Sequence, residues 1–208
     1  MTNEQISKRK YDLEERTARQ KKGRVHFSKQ MDSKTEKLLQ SLKSKKVGVF
    51  CDDSNLYHSY KKYGWRIDFE KFRKLLTSFC DLKFINYHVA IPDRTNGVFK
   101  GTENFLQKIT SSVSLKKKRM KYIPAEGKMA KKADVDLEIG LDVVRTIDEL
   151  DVVIIVSGDS DFLELKNYVV YDKGKNIMFV SYEENMAWEL RKCWHFYLNR
   201  IKDEIGLK

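Results

Sequence analysis

The sequence predicts a three-layer α/β fold in which helices cover both faces of a central parallel sheet. Short, continuous apolar runs at 47–51 and 152–156 alternate with stretches of helical spacing, such as 68–79. Apolar strands separated by helices are typical of a parallel sheet that is buried on both faces. The chain has 208 residues, of which 41% are hydrophobic and 34% charged, and this fits one globular domain with an extension.

The predicted elements follow one another in regular order from residue 47. Strands are predicted at 47–51, 82–91, 120–123, 152–156 and 176–180. Helices are predicted at 68–79, 99–113, 136–150 and 161–171, and a last helix is expected to begin within 186–194. Asp68 is expected to cap the first of these helices, and Pro92 and Gly174 act as breaks.

Residues 1–46 form a predicted basic N-terminal arm, and 47–208 form the predicted domain. The arm holds fourteen Lys or Arg and six Asp or Glu, so it carries +8 of the total formal charge of +11. We expect 1–30 to be mobile or helical, and 31–46 to be a helix, capped by Asp32 or Ser33, that leads into the core. Such a charge balance favours a polyanionic partner, although a solvated lysine-rich surface is the alternative.

The cysteines and the hydropathy pattern limit the cellular compartments in which we expect the protein. Cys51, Cys80 and Cys193 are scattered and form no CxxC pair, so neither a zinc site nor a disulfide framework is predicted. The N-terminus has no apolar stretch typical of a secretory signal, and no run of about 18 apolar residues predicts a membrane span. We therefore expect a cytoplasmic protein that has no membrane partner.

Acidic residues follow two of the predicted strands and begin one predicted helix. Asp52, Asp53 and Asn55 follow the first strand, and the segment 157–162 follows the strand at 152–156. A third acidic segment includes Asp136. Ligands of such folds bind at the carboxyl ends of the strands, and carboxylates gathered there repel one another unless a cation compensates. Oxygen ligands of this kind suit Mg²⁺ or Mn²⁺; ordinary helix capping by Asp and Ser is the alternative.

These motifs resemble those of NYN domains, LabA-like proteins among them, in the wider PIN-like nuclease group. The resemblance covers about residues 47–200. Family members typically carry Asp-x-x-Asn after the first strand, which matches 52–55, and Ser-Gly-Asp-Ser-Asp-Phe, which stands intact at 157–162. The resemblance implies a PIN-like, Rossmannoid core and a nuclease activity that depends on a divalent metal ion.

The middle motif of the family, Lys-Gly-Val-Asp-Val-x-Leu-Ala-x-Asp, is matched less well. Aligning Asp136 keeps the small residue, here Gly140, and the final acid, here Asp142. Aligning Asp134 instead keeps the lysine spacing but loses both of these residues. We favour Asp136 and keep Asp134 in reserve. Gly140 would then let the helix approach the sheet closely, and Asp142, six residues from Asp136, lies off the same helix face.

The resemblance also implies a role for each acid. The metal cluster would consist of Asp52, Asp136, Asp159 and Asp161, with Asp134, Asp53 and Asp142 in reserve. Asn55 and Ser157 would orient water, an acid or a phosphate. Asp53 stands where the family often has glycine, and we interpret it as an additional surface acid or a rim ligand.

A basic segment directly precedes the middle motif. It is expected to contact the phosphate backbone of a nucleic acid through Lys116, Lys117, Lys118, Arg119, Lys121, Lys128, Lys131 and Lys132. Tyr122 lies within this segment and could stack on a base, while a solvated loop is the alternative.

The sequence therefore predicts an endoribonuclease that uses Mg²⁺ or Mn²⁺ and has RNA as its partner. A non-catalytic RNA-binding module and a structure-specific DNA nuclease are the alternatives, and association with a second copy of the chain is left open. No Gly-x-Gly-x-x-Gly and no Gly-x-Ser-x-Gly is present, which argues against dinucleotide binding and against a serine hydrolase.

Overall fold

The computed structural model of the chain describes residues 31–125 and 128–207, and gives only the backbone for 125 and 128–131. Its central sheet has six strands: β1 (Lys46–Asp52), β2 (Asp81–Ile91), β3 (Ser114–Arg119), β6 (Val152–Val156), β7 (Asn176–Ser181) and β8 (His195–Tyr197). Strands β4 (Lys121–Ala125) and β5 (Lys128–Lys132) form a separate hairpin.

The six strands of the central sheet run in the order β3-β2-β1-β6-β7-β8, and every neighbouring pair is parallel. Strand β1 lies in the middle, with Asp52 opposite His88 of β2 and Cys51 opposite Val156 of β6. The carboxyl ends of β1 and β6 are therefore adjacent. This confirms the predicted α/β class with a parallel sheet, and it places the two acidic strand ends beside each other.

Helices cover both faces of the sheet. They are α1 (Ser33–Gln40), α2 (Asp53–Tyr63), α3 (Phe69–Phe79), α4 (Phe99–Ile109), α5 (Asp136–Thr146), α6 (Leu163–Asn167) and α7 (Lys202–Ile205). One apolar core packs α1 to α4 and α7 on one face, with Phe72 and Leu76 at 0% exposure. A second core packs α5 and the segment after β6 on the other face, with Ile139 and Val143 at 0%.

The predicted entry helix forms, but over Ser33–Gln40 rather than 31–46, and Lys46 already belongs to β1. Asp32 caps α1, accepting from the backbone N–H of Lys34 and Thr35 at 3.0 Å each. Leu39 and Leu42 are fully buried in the first core. The rest of the predicted arm, residues 1–30, lies outside the described residues.

The predicted strand at 120–123 is not part of the central sheet. The edge strand beside β2 is instead the lysine-rich segment Ser114–Arg119, which pairs with β2 from Asn86 to Ile91. Residues 121–125 form one arm of the β4–β5 hairpin, with Lys121 opposite Lys132. As an edge strand, β3 pairs on only one side, and this is where lysines are tolerated.

Two predictions for the C-terminal half need correction. The helix expected at 161–171 is divided into a 3₁₀ turn (Ser160–Phe162), α6 and a π-helical turn (Tyr168–Asp172). The helix expected within 186–194 is absent, and only a 3₁₀ turn at Leu190–Lys192 forms before β8. Its backbone bonds elsewhere, since Ala187 N–H donates to Gly158 O at 2.9 Å.

In the part of the chain that the structure describes, no helix is long and apolar enough to cross a membrane.

Candidate active site

Asp52 ends β1 and is both buried and strongly hydrogen-bonded. The residue is 2% exposed. Its Oδ1 atom accepts from Ser54 N at 3.0 Å, Ser54 Oγ at 3.0 Å and Asn55 N at 3.2 Å. These bonds make Asp52 the N-cap of α2. Capping therefore occurs here, and it fixes one carboxylate oxygen while the other points toward β6.

Ser157 connects the two acidic strand ends. Its hydroxyl, which is 0% exposed, donates to Asp52 Oδ2 at 3.0 Å and accepts from the backbone N–H of Asp159 at 3.3 Å. Burial raises the pKa of Asp52, while the bonds from Asn55, Ser54 and Ser157 favour the carboxylate and act in the opposite direction. Ser157 thus holds the Asp52 carboxylate in one orientation.

Asn55 joins the loops after β1 and β6. Its Oδ1 accepts from Gly158 N–H and from Asn185 Nδ2, at 3.1 Å each. Asn185 Nδ2 also donates to Ser59 Oγ at 2.8 Å. Asn55 therefore positions backbone rather than facing a ligand with its carbonyl oxygen. Sequence reasoning missed Asn185, because no motif signals a partner 130 residues away.

Gly158 allows the close approach on which this junction depends. A Cβ atom at residue 158 would stand 2.1 Å from the carbonyl oxygen of Asn185. The neighbouring atom belongs to the backbone, so it cannot move aside as a flexible side chain would. The loop after β6 therefore requires glycine at this position.

Asp136, Asp159 and Asp161 lie near Asp52. Asp159 Oδ1 accepts from Asp161 N–H at 3.0 Å and caps the 3₁₀ turn. Asp136 begins α5 and is half-buried. Its pKa is raised to about 6, chiefly by burial and then by the negative charges of Asp52, Asp159, Asp134 and Asp161. The predicted acids are thus brought within electrostatic range of one another.

Asp142 belongs to a separate buried polar cluster on the second face of the sheet. Its Oδ2 accepts from Asn86 Nδ2 at 2.7 Å and lies 3.2 Å from His88 Nε2. Its Oδ1 lies 3.3 Å from Lys116 Nζ. Burial lowers the pKa of His88, and the neighbouring Asp142 opposes that shift. These contacts tie α5 to β2 and β3, which is a structural task distinct from that of the acids near Asp52.

The other two reserve acids also have protein partners. Asp134 is exposed and lies 3.6 Å from Lys118 Nζ and 3.5 Å from Lys132 Nζ. Asp53 accepts a short hydrogen bond from the Tyr87 hydroxyl. Its pKa is raised to about 6, mainly by burial, with the Tyr87 bond acting against that shift. Asp52 and Asp53 therefore point toward different partners, Ser157 and Tyr87.

Gly140 does not have the role that the sequence suggested. A Cβ atom there would meet no atom of another element within 4 Å. The helix α5 therefore does not need glycine at residue 140 in order to approach the sheet.

The predicted basic contacts divide into two groups. Lys116, Lys118 and Lys132 form ion pairs with acids in or just before α5. Lys117, Arg119 and Lys121 are exposed, and no ion pair engages them within the described part of the chain. The side chains of Lys128 and Lys131 lie outside what is described. Tyr122 accepts from Asp93 N at 3.2 Å, so its hydroxyl holds the hairpin against the loop after β2.

The chemistry of the site is that of oxygen ligands. Within residues 31–125 and 128–207, as the side chains stand, no three Asp, Glu, His or Cys residues are grouped tightly enough to hold a metal ion. The candidate ligands Asp52, Asp136, Asp159 and Asp161 nevertheless all offer carboxylate oxygens, which Mg²⁺ and Mn²⁺ accept as ligands.

Together, the parallel six-stranded sheet and the acids at the carboxyl ends of its two central strands define an α/β protein with an acidic crevice. The chain belongs to the NYN domain family, whose model matches residues 46–199. NYN domains are generally PIN-like nucleases, so the membership connects this chain with nucleic acids.

Two other proteins are similar to this chain in sequence or in fold. The chain is 24% identical over 165 residues to the Low amplitude and bright protein LabA of Synechococcus elongatus, covering 77% of this chain and 87% of that protein. It also resembles the crystal structure of a protein of unknown function from Vibrio parahaemolyticus, with a TM-score of 0.62 and 20% identity. That match covers 79% of this chain and 97% of the other, and it supports the fold alone.

Proposed function

We propose that this chain is a metal-dependent endoribonuclease that hydrolyses RNA phosphodiester bonds. One observation carries the proposal: Ser157 and two backbone N–H groups connect Asp52, Asp159 and Asp161 at adjacent strand ends, and their charges reach Asp136 at the start of α5. Charges of one sign are costly to gather in this way, and a divalent cation would offset that cost.

Asp52, Asp136, Asp159 and Asp161 are the proposed ligands of Mg²⁺ or Mn²⁺. When bound, such an ion would activate water and neutralise charge on the phosphate. Closing the set around an ion requires side-chain rotation, which is least restricted at the exposed Asp161 and the half-buried Asp136. Asp134 is the reserve ligand next to Asp136, but its two lysine partners would have to release it.

The remaining residues of the site prepare and hold these groups. The hydrogen bonds from Ser54, Asn55 and Ser157 favour the charged form of Asp52. Asn55 keeps the loops after β1 and β6 at a fixed separation through Gly158. Of the predicted basic contacts whose side chains are described, Lys117, Arg119 and Lys121 are exposed and form no ion pair, and they would hold the RNA strand beside the acids.

The expected setting is the cytoplasm, and the expected partner is RNA. Cys51, Cys80 and Cys193 are all free thiols, which is consistent with a reducing compartment. DNA is the alternative partner, and association with a second copy of the chain stays open.

The test compares three labelled substrates of one sequence: single-stranded RNA, single-stranded DNA and duplex DNA. Each is incubated with the full chain in Mg²⁺, Mn²⁺ or EDTA. We expect internal cuts in RNA with either metal ion and none in EDTA. Cutting of DNA in preference to RNA would favour the structure-specific nuclease. Salt-sensitive RNA binding without any cutting would favour the non-catalytic binding module.

A further inference from the structure

A large cavity opens next to the acidic crevice. It has a volume of about 860 Å³, within the range of about 300–1,000 Å³ that is common for small-molecule sites. It lies between α2 and α4 at the carboxyl end of β2, and its walls include Asp53, Tyr57, Arg66, Tyr87 and Phe105. Neither the metal ligands nor the phosphate contacts proposed above use it.

Asp53 is the acid of this cavity. The buried Tyr87 hydroxyl donates to one of its oxygens, Oδ1, and so fixes the orientation of the carboxylate. No ion pair engages Asp53 within the described part of the chain, although Arg66 and His58 lie near enough to influence it. The second oxygen, Oδ2, makes no hydrogen bond among the described residues and can accept from a ligand.

Flat and cationic groups form the walls of the cavity. The Arg66 guanidinium lies 3.7 Å from the Tyr60 ring centre and 5.2 Å from that of Phe105. Tyr57 is 40% exposed at the rim, with Lys61 Nζ 4.7 Å from its ring centre. Aromatic and guanidinium planes of this kind stack on nucleobases, and the cavity is large enough to admit one.

The cavity also reaches the acids proposed to cut RNA. Its lining includes Ser54, which donates to Asp52, and Ala133, three residues before Asp136. A nucleotide whose phosphate lies at the acids could therefore place its own base, or the neighbouring one, in this cavity.

We propose that this cavity is a nucleobase-binding subsite with a preference for guanine. The inference rests on the proposed function, because the base would belong to the RNA strand that is cut. Guanine presents two adjacent N–H donors on its pairing edge, and a carboxylate accepts two such donors side by side. Adenine, cytosine and uracil each present a single donor group on that edge, so each would donate fewer hydrogen bonds to the Asp53 carboxylate.

The test measures binding of GMP, AMP, CMP and UMP to the full chain in EDTA, by titration calorimetry. We expect GMP to bind about tenfold or more tightly than the others, as for other bidentate base contacts. Asp53→Asn should abolish that preference, because an amide offers only one acceptor while still accepting from Tyr87. The matched control is Asp172→Asn, which changes an exposed acid that does not line the cavity. It should leave the binding of all four nucleotides unchanged.

Two further variants separate this inference from the proposed function. Tyr57→Ala removes an exposed rim ring and should weaken all four nucleotides, which provides a second test if Asp53→Asn fails to fold. Asp159→Asn should keep the preference for GMP over the other nucleotides, with binding equal or tighter because one repulsive charge near the phosphate is gone. Metal-dependent RNA cleavage without any GMP preference would overturn the subsite alone. Asp53-dependent GMP binding without RNA cleavage would support the subsite and overturn the proposed nuclease.

Discussion

The Ser157 hydroxyl donates to Asp52 Oδ2 at 3.0 Å and thereby joins the carboxyl ends of the two central strands. Both residues are almost fully buried, at 0% and 2% exposure. Ser157 also accepts from Asp159 N–H, so one hydroxyl orients one acid and the backbone of another. The acidic crevice is therefore built around one buried serine.

Ser157→Ala should weaken both folding and cleavage. It removes the partner of a buried carboxylate oxygen, which costs about 1–3 kcal/mol in the free energy of unfolding. Loss of an orienting partner at such a site typically lowers activity about 10–100-fold. Urea denaturation and RNA cleavage assays measure the two effects. Ser160→Ala, which removes a hydroxyl from the same loop, is the control, and an equal loss of cleavage there would contradict the assignment.

Two glycine substitutions should have opposite effects on stability. Gly158→Ala brings a Cβ atom against the Asn185 carbonyl oxygen, and such overpacking costs about 1–3 kcal/mol or more. Gly140→Ala lies inside α5 in open space, so the gain in helix propensity should stabilise the protein by about 0.5–1 kcal/mol. Thermal and urea unfolding of both variants test this. A destabilised Gly140→Ala variant would show that the helix does depend on close approach at that residue.

Lys117→Ala combined with Arg119→Ala should weaken RNA binding without loss of stability. Both side chains are exposed on β3 and have no ion pair among the described residues. Two lost phosphate contacts should reduce the slope of log affinity against log salt by about 1.4 for a single strand. The control pair, Lys37→Ala with Lys43→Ala, removes the same charge from the region before β1. An equal slope change in the control would mean that net charge alone binds RNA.

Asp142→Asn should affect stability more than catalysis. The change removes the charge that faces Lys116 and His88 but keeps an acceptor for Asn86. Because Lys116 is partly exposed, we expect a loss of about 1–3 kcal/mol rather than the full cost of breaking a buried ion pair. The Asp142→Asn variant should still cleave RNA at urea concentrations below the midpoint of its unfolding. Loss of cleavage at unchanged stability would instead make Asp142 a member of the metal site.

Much of the fold followed from patterns local in sequence. The run at 152–156 is apolar at every residue, which predicts a buried strand, and the structure has that strand with the same bounds and every residue buried. Asp68 caps α3, as its position before an apolar helical pattern predicts. The location of the acids at the carboxyl edge followed from where two predicted parallel strands end, whereas the pairing of β1 with β6 is known only from the structure.

Features that depend on distant contacts could not be predicted in this way. Strand β3 is rich in lysine, and its place in the sheet is set by pairing with β2 rather than by its own composition. The segment 186–194 has helical spacing, but Ala187 bonds to Gly158 instead of continuing a helix. Asn185 and Asp53 owe their positions to partners in other elements, Asn55 and Tyr87.

We propose that the acids at the ends of β1 and β6 cut RNA with the help of a metal ion. The most direct measurement is single-turnover cleavage of labelled single-stranded RNA in Mn²⁺, with wild type beside Asp159→Asn and the control Asp172→Asn. We expect cleavage to be lost in Asp159→Asn and kept in the control, with RNA binding equal or tighter because one repulsive charge is gone. Cleavage by Asp159→Asn at the wild-type rate would contradict the claim.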